Sequence, residues 1–512
     1  MFVALVFFLK AIRLTLKRFC SSKPPVCIVG SGPSAFYVAQ FLLRHHTSAC
    51  VDMYEKLPAP FGLVRYGVAP DHPEVKNVIN TFTEVARNPR FRFFGNVNVG
   101  KDVRLHELQR AYGAVILAYG ASVDRHLCIP GENLSGVIAA KDFVGWYNGL
   151  PGLSDLRPDF DCDTAVVIGV GNVAIDIARI LLSKPSALKP VISHLISSNI
   201  RRVVLVARRG PLQAAFTLKE LRELSRLDIG EESSTPHYLP INFLPPGIIN
   251  DCFPGSEFNE NLLQGLPRSR RRLMKFLSEL SSKQNYRCSS KRCDIQFLRS
   301  PVRIIPTDET RTSPLKSSVR AVELAVNQLV GAANENQDIC TNPDAPTEVL
   351  ECGLVIRSIG YRSVPIDPDL PFDTSRGVIK SKDHRGRVAD PEGGGSLNPT
   401  LCPLYCSGWV KRGAVGVIAE TSVDARITAQ TVLVDLATAE SQSDPRVTDR
   451  HGSAEIEQLL RARGVLTISF SDWERVDAME KAAGKALGKP REKLTSIESI
   501  LKAAFPETTC KK

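Results

Sequence analysis

Four consecutive apolar residues, Val26-Cys27-Ile28-Val29, form a short run bounded by a turn. Such a run predicts a buried parallel strand. It breaks at Gly30-Ser31-Gly32-Pro33-Ser34-Ala35, where Pro33 suits the first position of a helix because no N–H is needed there. Apolar residues then recur at Ala35, Val38, Ala39 and Leu42, the spacing of one buried helix face. A second strand is expected over residues 49–54, ending at Glu55. Strand, glycine turn, helix, strand and acid together make the dinucleotide-binding arrangement. In it Gly30 permits the tight turn, Gly32 lets a pyrophosphate approach the backbone, and Ala35 keeps the helix against the strand. Helix N–H groups meet the phosphate charge, and Glu55 accepts hydrogen bonds from ribose hydroxyls.

The pattern repeats with one change. Ala165-Val166-Val167-Ile168 predicts a strand, Gly169-Val170-Gly171-Asn172-Val173-Ala174 a turn, and the helix is expected to run through Leu181. The following strand, residues 202–207, ends in Arg208-Arg209 instead of an acid. An acid there binds the 2′-hydroxyl of NAD, whereas guanidinium groups neutralise a 2′-phosphate and grip it bidentately. The first site therefore wants an adenine dinucleotide with a free ribose, and the second wants NADPH.

Between the fingerprints, residues 92–97 and 114–120 read as strands ending at glycines, completing one doubly wound unit, and residues 121–160 as the crossover out of it. The stretch around Phe61, Leu63, Val64 and Tyr66 is too apolar for a surface linker and suits packing along a flat ring. His72, between Asp71 and Pro73, reads equally as a turn histidine. Residues 228–258 suggest a Pro-rich excursion, and residues 281–300 and 331–348 surface loops. Residues 352–360 suggest a further strand. Arg268, Arg270, Arg271, Arg272 and Lys275 open a helix whose apolar side carries Leu273, Phe276, Leu277 and Leu280. Such a cluster is either a solvated face or a dock for an acidic partner, steering its approach. Residues 404–419 predict a strand, a glycine-rich loop and a helix start, with Trp409 placed to stack on a ring or to fill core. From about Asp444 the chain is polar, with one compact patch at residues 470–474.

With 512 residues, 43% of them hydrophobic, the chain supports two or three domains. A net charge of +11 is too small for this length to call for nucleic acid. Lys10, Arg13, Lys17, Arg18 and Lys23 precede the first acid, Asp52, and follow an apolar start too short to span a bilayer. A secretory signal puts its charges before the apolar run, so residues 1–23 read as a mitochondrial presequence, or as a membrane-surface anchor. The 13 cysteines show no zinc spacing with a partner pair. None forms a pair on the helix after Glu55, which argues against dithiol chemistry.

The nested fingerprints, with FGLVRYGVAPDHPEVK (61–76), ARRGPLQAAFTLKELRE (207–223) and YCSGWVKRGAVGVIA (405–419), resemble the adrenodoxin reductase family. The resemblance spans about residues 24–440 and resumes in FSDWERVDA (470–478) and GKPREKL (488–494). It implies an α/β fold with two Rossmann-like dinucleotide-binding domains of the glutathione reductase type, the NADP domain inserted into the FAD domain. Behind the presequence, residues 24–120 and 365–512 belong to the FAD domain and a C-terminal extension, and residues 121–364 to the NADP domain. It further implies that Ser34, Glu55, Leu63, Val99, Trp409, Gly416, Val417 and Ile418 contact FAD, beside Gly30 and Gly32. Val170, Gly171, Asn172, Val173, Arg208, Arg209, Glu220 and again Gly416 would serve NADPH. Arg222, Arg268, Arg270, Arg271 and Arg272 would face an acidic [2Fe–2S] ferredoxin, and His72 and Asp176 would take polar roles near the flavin. No metal site is implied in the reductase itself.

The implied reaction takes electron pairs from NADPH and delivers them singly, through FAD, to the ferredoxin, for cytochrome P450 steroid metabolism or iron–sulfur cluster assembly. The implied setting is a monomer in the mitochondrial matrix, with contact to the inner-membrane surface. Three departures stand out. Ser34-Ala35 replaces the family's usual Ala-Gly, and Val170 replaces a glutamine, which puts that cofactor contact in doubt. Extra residues near 393–403 precede the tryptophan loop. One rival is an electron carrier like the small subunit of glutamate synthase, which would bring cysteine-rich cluster motifs. The other is a redox sensor or scaffold binding FAD and NADPH without turnover, which keeps every motif and is separated only by ferredoxin or cytochrome c reduction.

Overall fold

The computed structural model describes residues 25–184, 195, 197–229, 237–251, 265–282, 290–307, 318–331, 336–390, 400–444, 447 and 450–506. The expected presequence, Cys288 and most of the 393–403 insertion lie outside them. The chain divides into two compact units, one of residues 1–123 and 361–512, the other of residues 124–360 inserted between.

In the first unit β1 (Val26–Val29) leads through the glycine turn into α1 (Pro33–His45) and back as β2 (Val51–Tyr54). Helix α2 (Val78–Ala86), β3 (Phe91–Phe94) and β4 (Ala114–Leu117) follow. The chain then builds the inserted unit from β5 (Val137–Ala139), β6 (Thr164–Ile168), α3 (Asn172–Leu182), β7 (Arg202–Val206) and α4 (Leu218–Ser225). It continues with β8 (Ile241–Leu244), α5 (Arg268–Ser282) and β9 (Arg292–Gln296). A mainly antiparallel group comes next: β10 (Arg299–Pro306), β11 (Val319–Val330), β12 (Asp338–Thr341) and β13 (Glu348–Glu351). After β14 (Leu354–Arg357) the chain returns to the first unit as β15 (Leu404–Cys406), α6 (Ile418–Ser441), α7 (Ser453–Ala462), α8 (Phe470–Ala486) and α9 (Ile497–Ala504).

Each unit is organised on a parallel sheet. The first runs β15-β4-β1-β2-β3 and the second β5-β14-β6-β7-β9-β8. β1, β2, β4 and β6 are buried along their whole length, as strands covered on both faces must be. In each sheet the strand that carries the glycine turn is interior, next to the point where strand order reverses. That is where open α/β sheets bind ligands, beyond the carboxyl ends of the strands.

Three sequence expectations are corrected. The stretch 281–300, expected as a loop, holds β9, which lies between β7 and β8 with Cys293 and Ile295 fully buried. Its polar residues masked it, yet buried Asp294 accepts from Arg202 at 2.7 Å and from Asn242 at 2.8 Å. Paired in this way, the acid costs the sheet little. The excursion at 228–258 supplies the edge strand β8, and the loop at 331–348 includes β12. The polar tail after Asp444 folds into α7, α8 and α9, where Arg65 donates to the buried Glu480 at 2.7 Å. Among the described residues no helix is long and apolar enough to cross a membrane. Burial pushes the Cys352 and Cys406 thiols up to about 12 and that of Cys162 to about 11, which keeps them protonated and unreactive.

Candidate dinucleotide sites

The turn after β1 uses its two glycines differently. Gly30 has φ +101°, and a Cβ there would lie 2.6 Å from the Ala118 carbonyl oxygen at the end of β4. Gly32 is extended and caps α1, and a Cβ there would meet nothing within 4 Å. The first glycine is therefore needed by the fold, and the second keeps open space beside a helix N-terminus, a cradle suited to a pyrophosphate.

Glu55 closes the turn. Its Oε2 accepts from Ser31 N at 2.9 Å and Ser31 Oγ at 2.6 Å, and its Oε1 accepts from Leu57 N at 3.0 Å. Burial pushes the carboxyl up, and the Leu57 and Ser31 hydrogen bonds draw it back. These donors fix the carboxylate at the turn.

Other segments of the same unit pack on this turn. Phe61 adopts φ +81° and donates its N–H to Ser31 O at 3.1 Å, and a Cβ on Gly62 would lie 3.1 Å from Gly32 Cα. The short helix that begins there leaves Leu63 38% exposed. From the far end of the sequence, Ser407 Oγ accepts from Ser34 Oγ at 2.8 Å, and Gly408 has no room for a Cβ against Ser34. Asp424 of α6 accepts from Gly408 N at 2.7 Å and pairs with Lys411 at 2.6 Å, both side chains buried. This interaction orients the loop of Trp409, whose ring lies 6.1 Å from that of Tyr361. Gly416, at φ +89°, then leads to Val417, the extended cap of α6, which is 48% exposed, with Ile418 opening the helix. Val99 differs: its side chain is buried in the core with Tyr54 and Val103, so only its backbone can meet a ligand.

Removing one partner of a buried ion pair leaves an uncompensated charge and costs about 3–5 kcal/mol. Asp424→Ala is accordingly expected to lower the melting temperature and to loosen the Trp409 loop, read as a shift in tryptophan fluorescence. Unchanged values for both would show that the pair does not position the loop.

In the inserted unit Gly169 has φ +123° and no room for a Cβ, which would lie 2.1 Å from the Ser358 carbonyl oxygen; at Gly171 a Cβ would meet nothing within 4 Å. The division of roles is the same. Val170 O accepts from Ala215 N at 3.1 Å, and Asn172 Oδ1 from Thr217 N at 2.8 Å, where Thr217 caps α4. Val170 and Val173 pack their side chains against the apolar core of the unit. At the end of β7 the main chain is pinned: Leu298 N donates to Arg209 O at 3.2 Å and Asn327 Nδ2 to Arg208 O at 2.9 Å. Arg208 is exposed and Arg209 half-buried. Burial lowers the Arg209 guanidinium from its usual range, and so do the charges of Arg208 and Arg270, against an opposing Asp338.

Arg179 of α3, itself buried, donates to Asp176 at 2.7 Å and stands 3.6 Å from Glu220 and 3.8 Å from Glu223. Asp176 and Glu220 are thus joined through one guanidinium, which nothing local in the sequence announces. His72 lies in the first unit, buried, with Nδ1 3.3 Å from Glu74 Oε1, so the two polar candidates sit in different units.

The cationic helix α5 is not a single face. Arg268 and Arg272, four residues apart, are exposed, whereas Arg270 and Arg271 are half-buried. Arg222 of α4 stacks its guanidinium over Phe276 of α5, 5.2 Å from the ring centroid. Cations in a first helical turn oppose the macrodipole by about 0.3–1 kcal/mol each, so helix stability does not account for this cluster.

No family model matches the chain. It is 46% identical over 94% of its length to the mitochondrial NADPH:adrenodoxin oxidoreductase of Bos taurus, of which it covers 92%. The corresponding Arabidopsis thaliana protein is 40% identical, with 94% of this chain and 96% of that protein covered. Among solved structures, Mycobacterium tuberculosis FprA in complex with NADPH superposes with a TM-score of 0.80 at 37% identity, covering 94% of this chain and all of that one. Sequence and fold agree over nearly the whole length, and the chain belongs to the family of the NADPH:adrenodoxin oxidoreductases.

Proposed function

We propose that this protein passes electrons from NADPH, through bound FAD, to an acidic [2Fe–2S] ferredoxin. As a member of its family it is an FAD-dependent NADPH oxidoreductase. The observation that carries the reading further is the contrast between the two glycine turns: one is closed by a hydrogen-bonded carboxylate, the other is followed by paired arginines. The open space over Gly32 and Gly171 fits the phosphates of two dinucleotides.

The FAD domain is read as residues 24–120 and 365–512 and the NADP domain as residues 121–364, with junctions within four residues of those between the two units. Gly30, Gly32, Ser34, Glu55, Leu63, Trp409, the Val99 backbone and residues 416–418 hold FAD. That cofactor, when bound, accepts an electron pair and releases it singly. The chain's own part is placement. Glu55 fixes a ribose, and the helix starts of α1 and α6 offer N–H groups. The Asp424–Lys411 pair holds the Trp409 loop. Residues 170–173 with Arg208, Arg209 and Glu220 bind NADPH and select its 2′-phosphate. His72 and Asp176 are read as polar groups near the flavin. The reading places the protein in the mitochondrial matrix as a monomer touching the inner membrane, serving P450 steroid metabolism or iron–sulfur assembly. The relatives are named mitochondrial.

An anaerobic titration of the yellow protein tests this directly: the flavin band is expected to bleach with NADPH far more readily than with NADH, and a [2Fe–2S] ferredoxin to be reduced on addition. A protein that binds both cofactors and reduces no acceptor would leave the sensor or scaffold reading instead. For the exit side, Arg268→Gln with Arg272→Gln is expected to raise the ferredoxin KM about tenfold at low salt. Exposed charges of this kind act on encounter, so the effect should shrink as salt screens them. A ferredoxin KM equal to wild type would remove α5 from the docking face.

A further inference from the structure

Arg270 belongs to the helix that the sequence assigns to the ferredoxin, but its geometry turns it the other way. It stands three, four and seven residues before Leu273, Met274 and Leu277, the buried stripe of α5, so helical spacing puts it on the inward face. Arg268 and Arg272 point outward. Its Nη1 donates to the Ala214 carbonyl. The next residue, Ala215, gives its N–H to the carbonyl of Val170 in the glycine turn at 3.1 Å. The turn Pro211–Gln213, which begins just after Arg208-Arg209, packs on the same helix.

We propose that Arg270 is a third cation of the nucleotide 2′-phosphate site, a specificity-determining residue beside Arg208 and Arg209, and not a ferredoxin contact. This rests on the assignment of that pair to NADPH. The electrostatics agree. Arg209 feels both Arg208 and Arg270 as like charges, with Asp338 as the opposing acid. Three guanidinium groups and one carboxylate leave a surplus of two positive charges. A phosphate monoester carries about −1.5 to −2 at neutral pH, which matches that surplus. Arg270 also ties α5, which presents Arg268 and Arg272, to the loop that abuts the nucleotide turn.

The test is Arg270→Gln in the holoenzyme. Glutamine removes the charge and keeps only an amide donor on a shorter stem, so 5′-ADP affinity serves as the control for the loop. Calorimetry with 2′,5′-ADP and with 5′-ADP should show the first weakened about tenfold, as for loss of one charge-assisted contact, and the second unchanged. NADPH kcat/KM with ferricyanide should fall by the same factor while NADH kcat/KM and ferredoxin KM hold. Arg270→Lys should recover most of the loss. Equal weakening of both nucleotides, unchanged 2′,5′-ADP affinity, or a rise in ferredoxin KM alone would each overturn the proposal. Arg208→Ala with Arg209→Ala separates the two levels. If that double variant loses NADPH selectivity and Arg270→Gln does not, only the third cation is wrong. If neither loses it, the nucleotide assignment itself is wrong.

Discussion

Replacing Arg208 and Arg209 together with alanine is expected to lower kcat/KM for NADPH by about 10²–10⁴, leaving NADH almost untouched. Hydrogen bonds to charged groups contribute about 1.5–3 kcal/mol each, and the two residues together account for the range. The loss should appear mainly in KM, because the 2′-phosphate lies far from the transferred hydride and is bound alike in ground and transition states. The fold should survive. Arg208 is exposed, and the strand end is held by main-chain contacts from Leu298 and by Asn327. Steady-state kinetics with both nucleotides decide it, and an unchanged preference would refute the assignment.

Gly32→Val should empty the first site without unfolding the chain. The backbone at Gly32 is extended, φ −75° and ψ −176°, and a Cβ points into open space. Valine is a poorer helix cap, a cost of about 1 kcal/mol. The branched side chain instead fills the place where a pyrophosphate would meet α1, removing two or more charge-assisted hydrogen bonds. FAD affinity should drop by at least about 10², seen as colourless protein with a melting temperature near that of the wild-type apoprotein. Gly30→Val gives the contrast. Its positive φ and the Ala118 carbonyl leave no room, so insoluble protein is expected. If Gly32→Val retains FAD at wild-type affinity, this turn is not the cradle.

The sequence by itself determined both glycine turns, their strands and helices, and the sign of charge that follows each second strand. These are local matters, in which a run of apolar residues, a glycine doublet and a helical period lie within a few turns of chain and are read without knowing the rest. It also marked α5 as cationic and residues 404–419 as a strand, loop and helix. Only the tertiary structure decided what depends on distant partners. β9 is interior because Arg202 and Asn242, remote in sequence, satisfy Asp294. The Trp409 loop is fixed by Asp424 and Ser34, and Glu55 is held by Ser31. Asp176 and Glu220 meet through Arg179. Arg270 shows the boundary most sharply. The sequence grouped it with the ferredoxin-facing cluster, but the carbonyl it meets and the Arg209 whose charge it adds to come from a loop more than fifty residues earlier. Spacing reports which way a side chain points. What it points at is set by packing, which no local pattern records.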